Sequence, residues 1–201
     1  MEKYIDKIFY INLDRRLDRR AEIEGELSRM GLSGERFPAI EHVKGYIGCS
    51  LSHLELIKIA KQREYKNVLI LEDDFQFSLS KEKLEKNMTT FFESNLSYDL
   101  VMLAYNGKPN PESSNGTVSK VNNAATTAGY LVHTKVYDAL IGNYESGIKK
   151  LIETDNHRGW AIDKHWRSLL KNKEWYLFNE RMGKQRKSYS DIEKRVVNYG
   201  V

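Results

Sequence analysis

Glu72, Asp73 and Asp74 are three consecutive carboxylates, and their types and spacing offer more chemistry than any other stretch of the sequence. Two unit charges about 4 Å apart interact by roughly 4 kcal/mol at an effective dielectric of 20, so such a triplet calls for positive charge nearby. Arginines supply that, and so does a divalent metal. In extended chain Glu72 and Asp74 point one way and Asp73 the other, which gives one pair of oxygen ligands on a common side. Hard oxygen ligands suit Mg²⁺ or Mn²⁺, ions that also hold a diphosphate. A solvated turn after a strand, where Asp is common, is the competing reading of the same residues.

The elements that must position the triplet follow from the apolar pattern. Residues 67–71 (NVLIL) are apolar without alternation, as in a central strand covered on both faces. The triplet comes directly after them, and ligands of open α/β sheets gather at the carboxyl ends of strands. Residues 5–13 (IDKIFYINL) read as the first strand. Residues 17–30 then carry Ala21, Ile23, Leu27 and Met30 at helical spacing, with Gly31 as the stop. Residues 36–40 (RFPAI) read as a short strand interrupted by its proline. A helix runs from Gly48, capped by Ser50 or Ser52, with Leu51, Leu54, Ile57, Ile59 and Ala60 as its apolar face.

Strands at 100–103, 126–133 and 175–178 and helices at 135–140 and 161–170 continue the rhythm. The expected class is α/β, with helices on both faces of the sheet. Residues 105–123 hold two of the three prolines and many small polar residues, the turn chemistry of a long loop. Loops of that length commonly serve a function, here as a lid or an acceptor-facing segment. The tail from Arg181 is basic and polar.

Composition sets further bounds. At 201 residues the expectation is one domain. The net charge of +4 arises from 32 basic and 28 acidic residues spread along the chain. Only Arg15-Arg16, Arg19-Arg20 and residues 184–187 are locally dense in basic side chains, a pattern for phosphate rather than for a duplex, so no nucleic-acid partner is expected. Cys49 is the single cysteine, which rules out an intrachain disulfide and a cage of thiolates around zinc; it reads as a packing residue. No apolar run approaches the roughly 20 residues that span a bilayer, and residues 1–6 lack the look of a signal, so the expected location is cytoplasmic.

Six pieces in order then make the sequence recognisable. Residues 11–16 (INLDRR) with Asp18-Arg19-Arg20 come first, then residues 36–40, residues 48–53 (GCSLSH) and residues 71–74 (LEDD). Ala128-Gly129-Tyr130-Leu131 with Asp163 follow, and Gln185 with residues 188–192 (SYSDI) comes last. In this succession the sequence resembles glycosyltransferase family 25, which includes bacterial lipooligosaccharide galactosyltransferases and animal procollagen galactosyltransferases. The resemblance implies a GT-A type fold, a Rossmann-like, mostly parallel sheet flanked by helices. Its nucleotide-binding half would cover about residues 1–104 and its acceptor-side half about residues 105–201.

The resemblance also implies an inverting transfer of a hexose, galactose, from a UDP-sugar to a glycan or to a hydroxylated or glycosylated protein. Asp74 would ligate Mn²⁺ or Mg²⁺ with Glu72, and Glu72 or Asp73 would serve the ribose or the groups around the metal. Asn12, Leu13, Asp14, Arg15 and Arg19, in the loop after the first strand, would contact and orient the uridine. His53 would hydrogen-bond the donor or hold the junction between sheet and helix.

The chemistry agrees. A divalent ion on the departing diphosphate stabilises its growing charge, and inversion needs one base for the acceptor hydroxyl. Asp163 is the candidate base, placed at the start of a predicted helix where the dipole favours an anion; simple N-capping is its other reading. Trp166 and Trp175 read as core, while Trp160, beside Gly159, could stack on a sugar. Arg181, Lys184, Arg186 and Lys187 either close over the diphosphate or form a solvated tail. No histidine follows His165, so a further metal ligand falls to Gln185, Asp191, water or nothing. The chain is also short for the family, and a nucleotide-sugar-binding scaffold without transfer is the alternative.

Overall fold

Successive strand residues face opposite ways, so a strand that is apolar throughout must be covered twice. The computed structural model, which describes residue 1 and residues 3–200, meets that demand with two cores separated by one sheet. The chain begins with β1 (Lys7–Asn12), α1 (Leu17–Arg29), β2 (Glu35–Pro38), α2 (Gly45–Gln62), β3 (Asn67–Glu72) and β4 (Phe75–Phe77). It continues with α3 (Lys81–Glu93), β5 (Leu100–Met102), β6 (Val118–Lys120), β7 (Gly129–His133) and α4 (Tyr137–Thr154). Last come α5 (His157–Trp160), α6 (Ile162–His165), β8 (Trp175–Phe178), β9 (Gly183–Gln185), β10 (Ser188–Ser190) and β11 (Arg195–Val197).

Seven strands form the central sheet in the order β2-β1-β3-β7-β5-β8-β6. Strands β2, β1, β3, β5 and β8 run one way, while β7 and β6 run the other, so the sheet is mixed and mostly parallel. Val68 and Ile70 of β3 enter the core covered by α2 and α4, through Leu54, Ile57, Leu140 and Tyr144. Leu69 and Leu71 enter the other, covered by α1 and α3 through Ile23, Leu27, Leu84 and Met88.

That division matters for the site. From β1 the chain crosses to β2 by α1 on one face, and from β2 to β3 by α2 on the other. The reversal of order between β1 and β3 is a topological switch point, where the carboxyl ends of two strands leave a crevice.

Several local expectations are corrected. Helix α2 begins at Gly45 rather than at Ser50 or Ser52, and its cap residue Lys44 makes no side-chain capping bond. Ser50 and Ser52 lie inside the helix and donate back to the carbonyls of Tyr46 and Gly48, which satisfies hydroxyls buried in its interior. The loop expected at 105–123 contains β6, which pairs with β8 at the sheet edge. The helix expected at 135–140 extends to Thr154, and the one at 161–170 breaks into α6 and a 3₁₀ turn. Gly31 does stop α1, at φ +66°.

Phe75 fixes the chain just beyond the acidic triplet. Its strand β4 pairs with β9, and its fully buried ring fills the space that Gly129 and Gly183 leave open. A Cβ at Gly183 would lie 2.0 Å from Phe75 Cζ, and one at Gly129 would lie 2.4 Å from Cε2. Gly183→Ala is therefore expected to cost at least about 1–3 kcal/mol by overpacking. Gly25→Ala, on the exposed face of α1 with nothing within 4 Å of its Cβ, should be neutral or slightly stabilising. Thermal denaturation distinguishes the two, at about 2–4 °C per kcal/mol for a chain of this size. An unchanged melting temperature for Gly183→Ala would remove the clamp from the account.

Candidate functional site

Strand register sets the first contact of the site. Ile11 pairs with Glu72 across β1 and β3, which brings Asn12 level with Asp73. Asn12 Nδ2 donates to Asp73 Oδ2 at 2.8 Å, and Arg36 donates to Asn12 Oδ1 at 3.1 Å and to its carbonyl at 3.2 Å. From α1, Arg19 Nη1 donates to Asp73 Oδ1 at 2.8 Å and stands 3.4 Å from Asp74 Oδ2. Arg19 Nη2 donates to Ser188 Oγ at 2.6 Å and to the Tyr189 carbonyl at 2.9 Å.

Strand β3 ends at Glu72, and Asp73 and Asp74 form a turn. The alternation of extended chain stops there, so Asp73 does not turn away as expected. All three carboxylates line one cleft of about 660 Å³, together with Leu13, Arg15, Arg19, Cys49 and His53. Asn12 does not line the cleft and meets it only through Asp73. Asp14 lies outside its lining, exposed and paired with Arg36.

Glu72 has its own partners. Thr127 Oγ1 donates to Glu72 Oε1 at 2.6 Å, and His53 Nε2 lies 3.3 Å from the same oxygen. His53 is fully buried, with Nδ1 2.9 Å from the Tyr130 hydroxyl. The GCSLSH segment places it there. Gly48 lets α2 approach the Ile40 carbonyl, since a Cβ would meet that oxygen at 2.4 Å, and Ser52 Oγ accepts from the Ile40 N–H at 2.8 Å.

The three carboxyls consequently differ in acidity. Burial works against ionisation of Glu72, but the hydrogen bond and charge of His53, with Thr127 and Arg19, outweigh it and lower its pKa. Burial raises Asp73 despite Arg19 and Asn12. Burial and the neighbouring Glu72 charge push Asp74 up to about 7. Asp74 Oδ1 is also buried and without a hydrogen-bond partner. A buried carboxylate with one oxygen left unpartnered fits a divalent cation shared with Glu72.

Asp163 is not among the residues that line the cleft. It is the second residue of α6 and makes no capping bond; its Oδ2 accepts from the Thr126 N–H at 3.3 Å. Thr126 has φ +86°, an outlying conformation for a β-branched residue, and its Oγ1 donates to Gln185 Oε1 at 3.2 Å. Gln185 lines the cleft. Thr126 and Thr127 link Asp163, Gln185 and Glu72, and the sequence reading missed both. The non-glycine positive φ cannot be read from a threonine.

The β10–β11 hairpin forms one wall of the cleft with Tyr189, Ser190, Asp191 and Ile192, joined by Lys194 and Tyr199. Asp191 holds it in place, accepting from Arg15 at 3.0 Å and Arg16 at 2.5 Å, and these arginines lower its pKa against the effect of burial. None of Arg181, Lys184, Arg186 and Lys187 lines the cleft: Arg181 lies 4.9 Å over Tyr105, and Arg186 pairs with Glu22. No residue of 105–123 lines it, so that segment is not its lid in this structure. Trp166 and Trp175 are core, with ring centroids 5.0 Å apart, and Trp160 packs on His165 away from the cleft.

The Asp74 shift carries a signed prediction. Its folded pKa lies near 7 against an ordinary 3.8, so its contribution favours folding below pH 3.8 and is lost as pH rises towards 7. Asp73 acts in the same sense, and Glu72 in the opposite one. With chelator present, Asp74→Asn should melt above wild type at about pH 8 and lose that advantage at about pH 4. A variant less stable than wild type at the higher pH would contradict this.

Known proteins place the chain. The family model "Glycosyltransferase family 25 (LPS biosynthesis protein)" matches residues 43–157, more than half of it. The chain is 28% identical over 205 aligned positions to human procollagen galactosyltransferase 2, covering 85% of this chain and 32% of that one. It is 27% identical over 176 positions to human inactive glycosyltransferase 25 family member 3, covering 73% and 28%. The chain thus spans about a third of the length of the curated relatives it matches. A glycosyltransferase involved in the glycosylation of the major capsid of PBCV-1 shares the fold, with a TM-score of 0.52 at 9% identity over 94% of this chain and 95% of that one. Among the described residues no helix is long and apolar enough to cross a membrane. With a GT-A type sheet, the acidic triplet at its switch point and the family match across its middle, this chain belongs to glycosyltransferase family 25.

Proposed function

We propose that the chain transfers galactose, with inversion and with a divalent cation, from UDP-galactose to a hydroxyl of a glycan or of a hydroxylated or glycosylated protein. The observation that carries this reading is Asp74, a buried carboxylate with one unpartnered oxygen at the switch point of the sheet. Asp74 and Glu72 would hold Mn²⁺ or Mg²⁺, and the bound ion would neutralise charge on the departing diphosphate. The galactose assignment draws support from the relative named a procollagen galactosyltransferase.

The protein's own groups divide the remaining work. His53 and Thr127 hold Glu72 in one orientation, and Arg19 and Asn12 hold the Asp73 turn. Leu13 and Arg15, on the cleft wall, orient the uridine. The donor is bound chiefly by residues before Tyr105, closed in by the β10–β11 hairpin, and the rest of the later half faces the acceptor. Asp163, oriented by the Thr126 N–H, takes the acceptor proton as the new C–O bond forms and the bond to UDP breaks.

A second reading, a nucleotide-sugar-binding scaffold without transfer, draws on Arg19. This guanidinium already gives Asp73 and Asp74 a counter-charge at 2.8 and 3.4 Å. Relatives from human and mouse are also named inactive.

UDP release from UDP-galactose, measured with candidate acceptors in Mn²⁺ or in chelator, separates the two readings. The enzyme reading expects metal-dependent release, reduced about 100-fold or more in Asp163→Asn while UDP binding persists. Near-wild-type turnover in that variant would remove Asp163 as the base. Binding of UDP without turnover for any acceptor would select the scaffold.

A further inference from the structure

Cys49 and His53 stand four residues apart on α2, the spacing that puts two side chains on one helix face. Their face meets the end of β3 at Glu72. One donor atom from each of Cys49, His53 and Glu72 can be chosen so that all three lie within 4.8 Å of one another. A second observation lies beside them: Asp74, 7% exposed, lines the same cleft with Oδ1 unpartnered. We propose that Cys49, His53 and Glu72 form a site for a soft divalent cation such as Zn²⁺ or Cd²⁺, adjacent to the donor's metal and sharing Glu72 with it.

The geometry needs little adjustment. With metal–sulfur and metal–nitrogen bonds of about 2.3 and 2.0 Å, donor atoms of a tetrahedral site sit about 3.4–3.6 Å apart. His53 Nε2 and Glu72 Oε1 are already 3.3 Å apart, so mainly the thiol must move. Three protein ligands leave a fourth position open to the cleft. Binding forms sulfur–metal and nitrogen–metal bonds; the thiol proton leaves to solvent, and the Nε2 proton that His53 shares with Glu72 leaves to solvent or passes to Nδ1. His53 must then present bare Nε2, so its proton sits on Nδ1 and is donated to the Tyr130 hydroxyl, 2.9 Å away. Softness of the thiolate separates this site from the all-oxygen pair proposed for Mn²⁺ or Mg²⁺. Because Glu72 is common to both, a soft cation competes with the donor's metal.

The test is titration of the reduced, metal-stripped protein with Cd²⁺ alone, followed by the ultraviolet cadmium–thiolate absorption band. Cys49 is the only cysteine, so any such band reports on it. The site predicts a band that saturates at one ion per chain and is absent in Cys49→Ser. Its midpoint should shift by at least about tenfold in His53→Gln and in Glu72→Gln, the loss that even an outer partner's removal brings. Circular dichroism identifies variants that keep the fold, and the wild-type band is read regardless of them. No band in excess Cd²⁺, or one with an unchanged midpoint in the folded variants, would overturn the site. The assay contains no nucleotide or acceptor, so its failure is distinct from failure of the transfer reading.

Discussion

Placing three consecutive carboxylates, Asp73 and Asp74 buried and Glu72 half-buried, at the end of a central strand is the constraint on which the rest of this structure depends. Left together they would repel, so each is given a different environment. Glu72 is held ionised by His53 and Thr127, and Asp73 is tied by Arg19 and Asn12. Asp74 shares Arg19 at longer range and keeps one oxygen unpartnered. The charge is therefore not cancelled within the protein. What remains falls on Asp74, and a buried carboxylate with one oxygen unpartnered is a reason for a cation to bind.

The surrounding elements can be understood as support for that arrangement. Strand register sets Asn12 against Asp73, and Arg36 on the neighbouring edge holds Asn12. Gly48 brings α2 close enough for His53 to reach Glu72, and Gly129 and Gly183 admit the Phe75 ring that pins the chain after the turn. Arg19 extends the network to the C-terminal hairpin through Ser188 and Tyr189, while Arg15 and Arg16 bind Asp191. The cleft wall farthest along the chain is thus fastened to the segment following β1.

Parts of this were legible in the residues. The unbroken apolar run at 67–71 announced a strand with two covered faces, and the carboxylates directly after it announced the site. Strand direction was less accessible, because β7 enters antiparallel between β3 and β5 through pairing that no local pattern encodes. Helix α3 is visible in Leu84, Met88 and Phe91 at helical spacing behind the cap Ser80. Arg19 was expected at the nucleotide and does line the cleft, but its partners Asp73 and Asp74, more than 50 positions away, could not be read from its neighbours in sequence. Asp191 lies still further in sequence from Arg15 and Arg16, so the tail looked merely basic until the fold joined them.

The central claim is that Asp74 supplies the charge by which a divalent ion secures the nucleotide. Calorimetric titration of UDP into wild type and Asp74→Asn, each with Mn²⁺ and with chelator, tests it most directly. The account predicts binding by wild type in Mn²⁺, loss in chelator, and no gain from Mn²⁺ in the variant. Equal UDP affinity in all four titrations would contradict it and leave Arg19 as the cation that the acidic triplet requires.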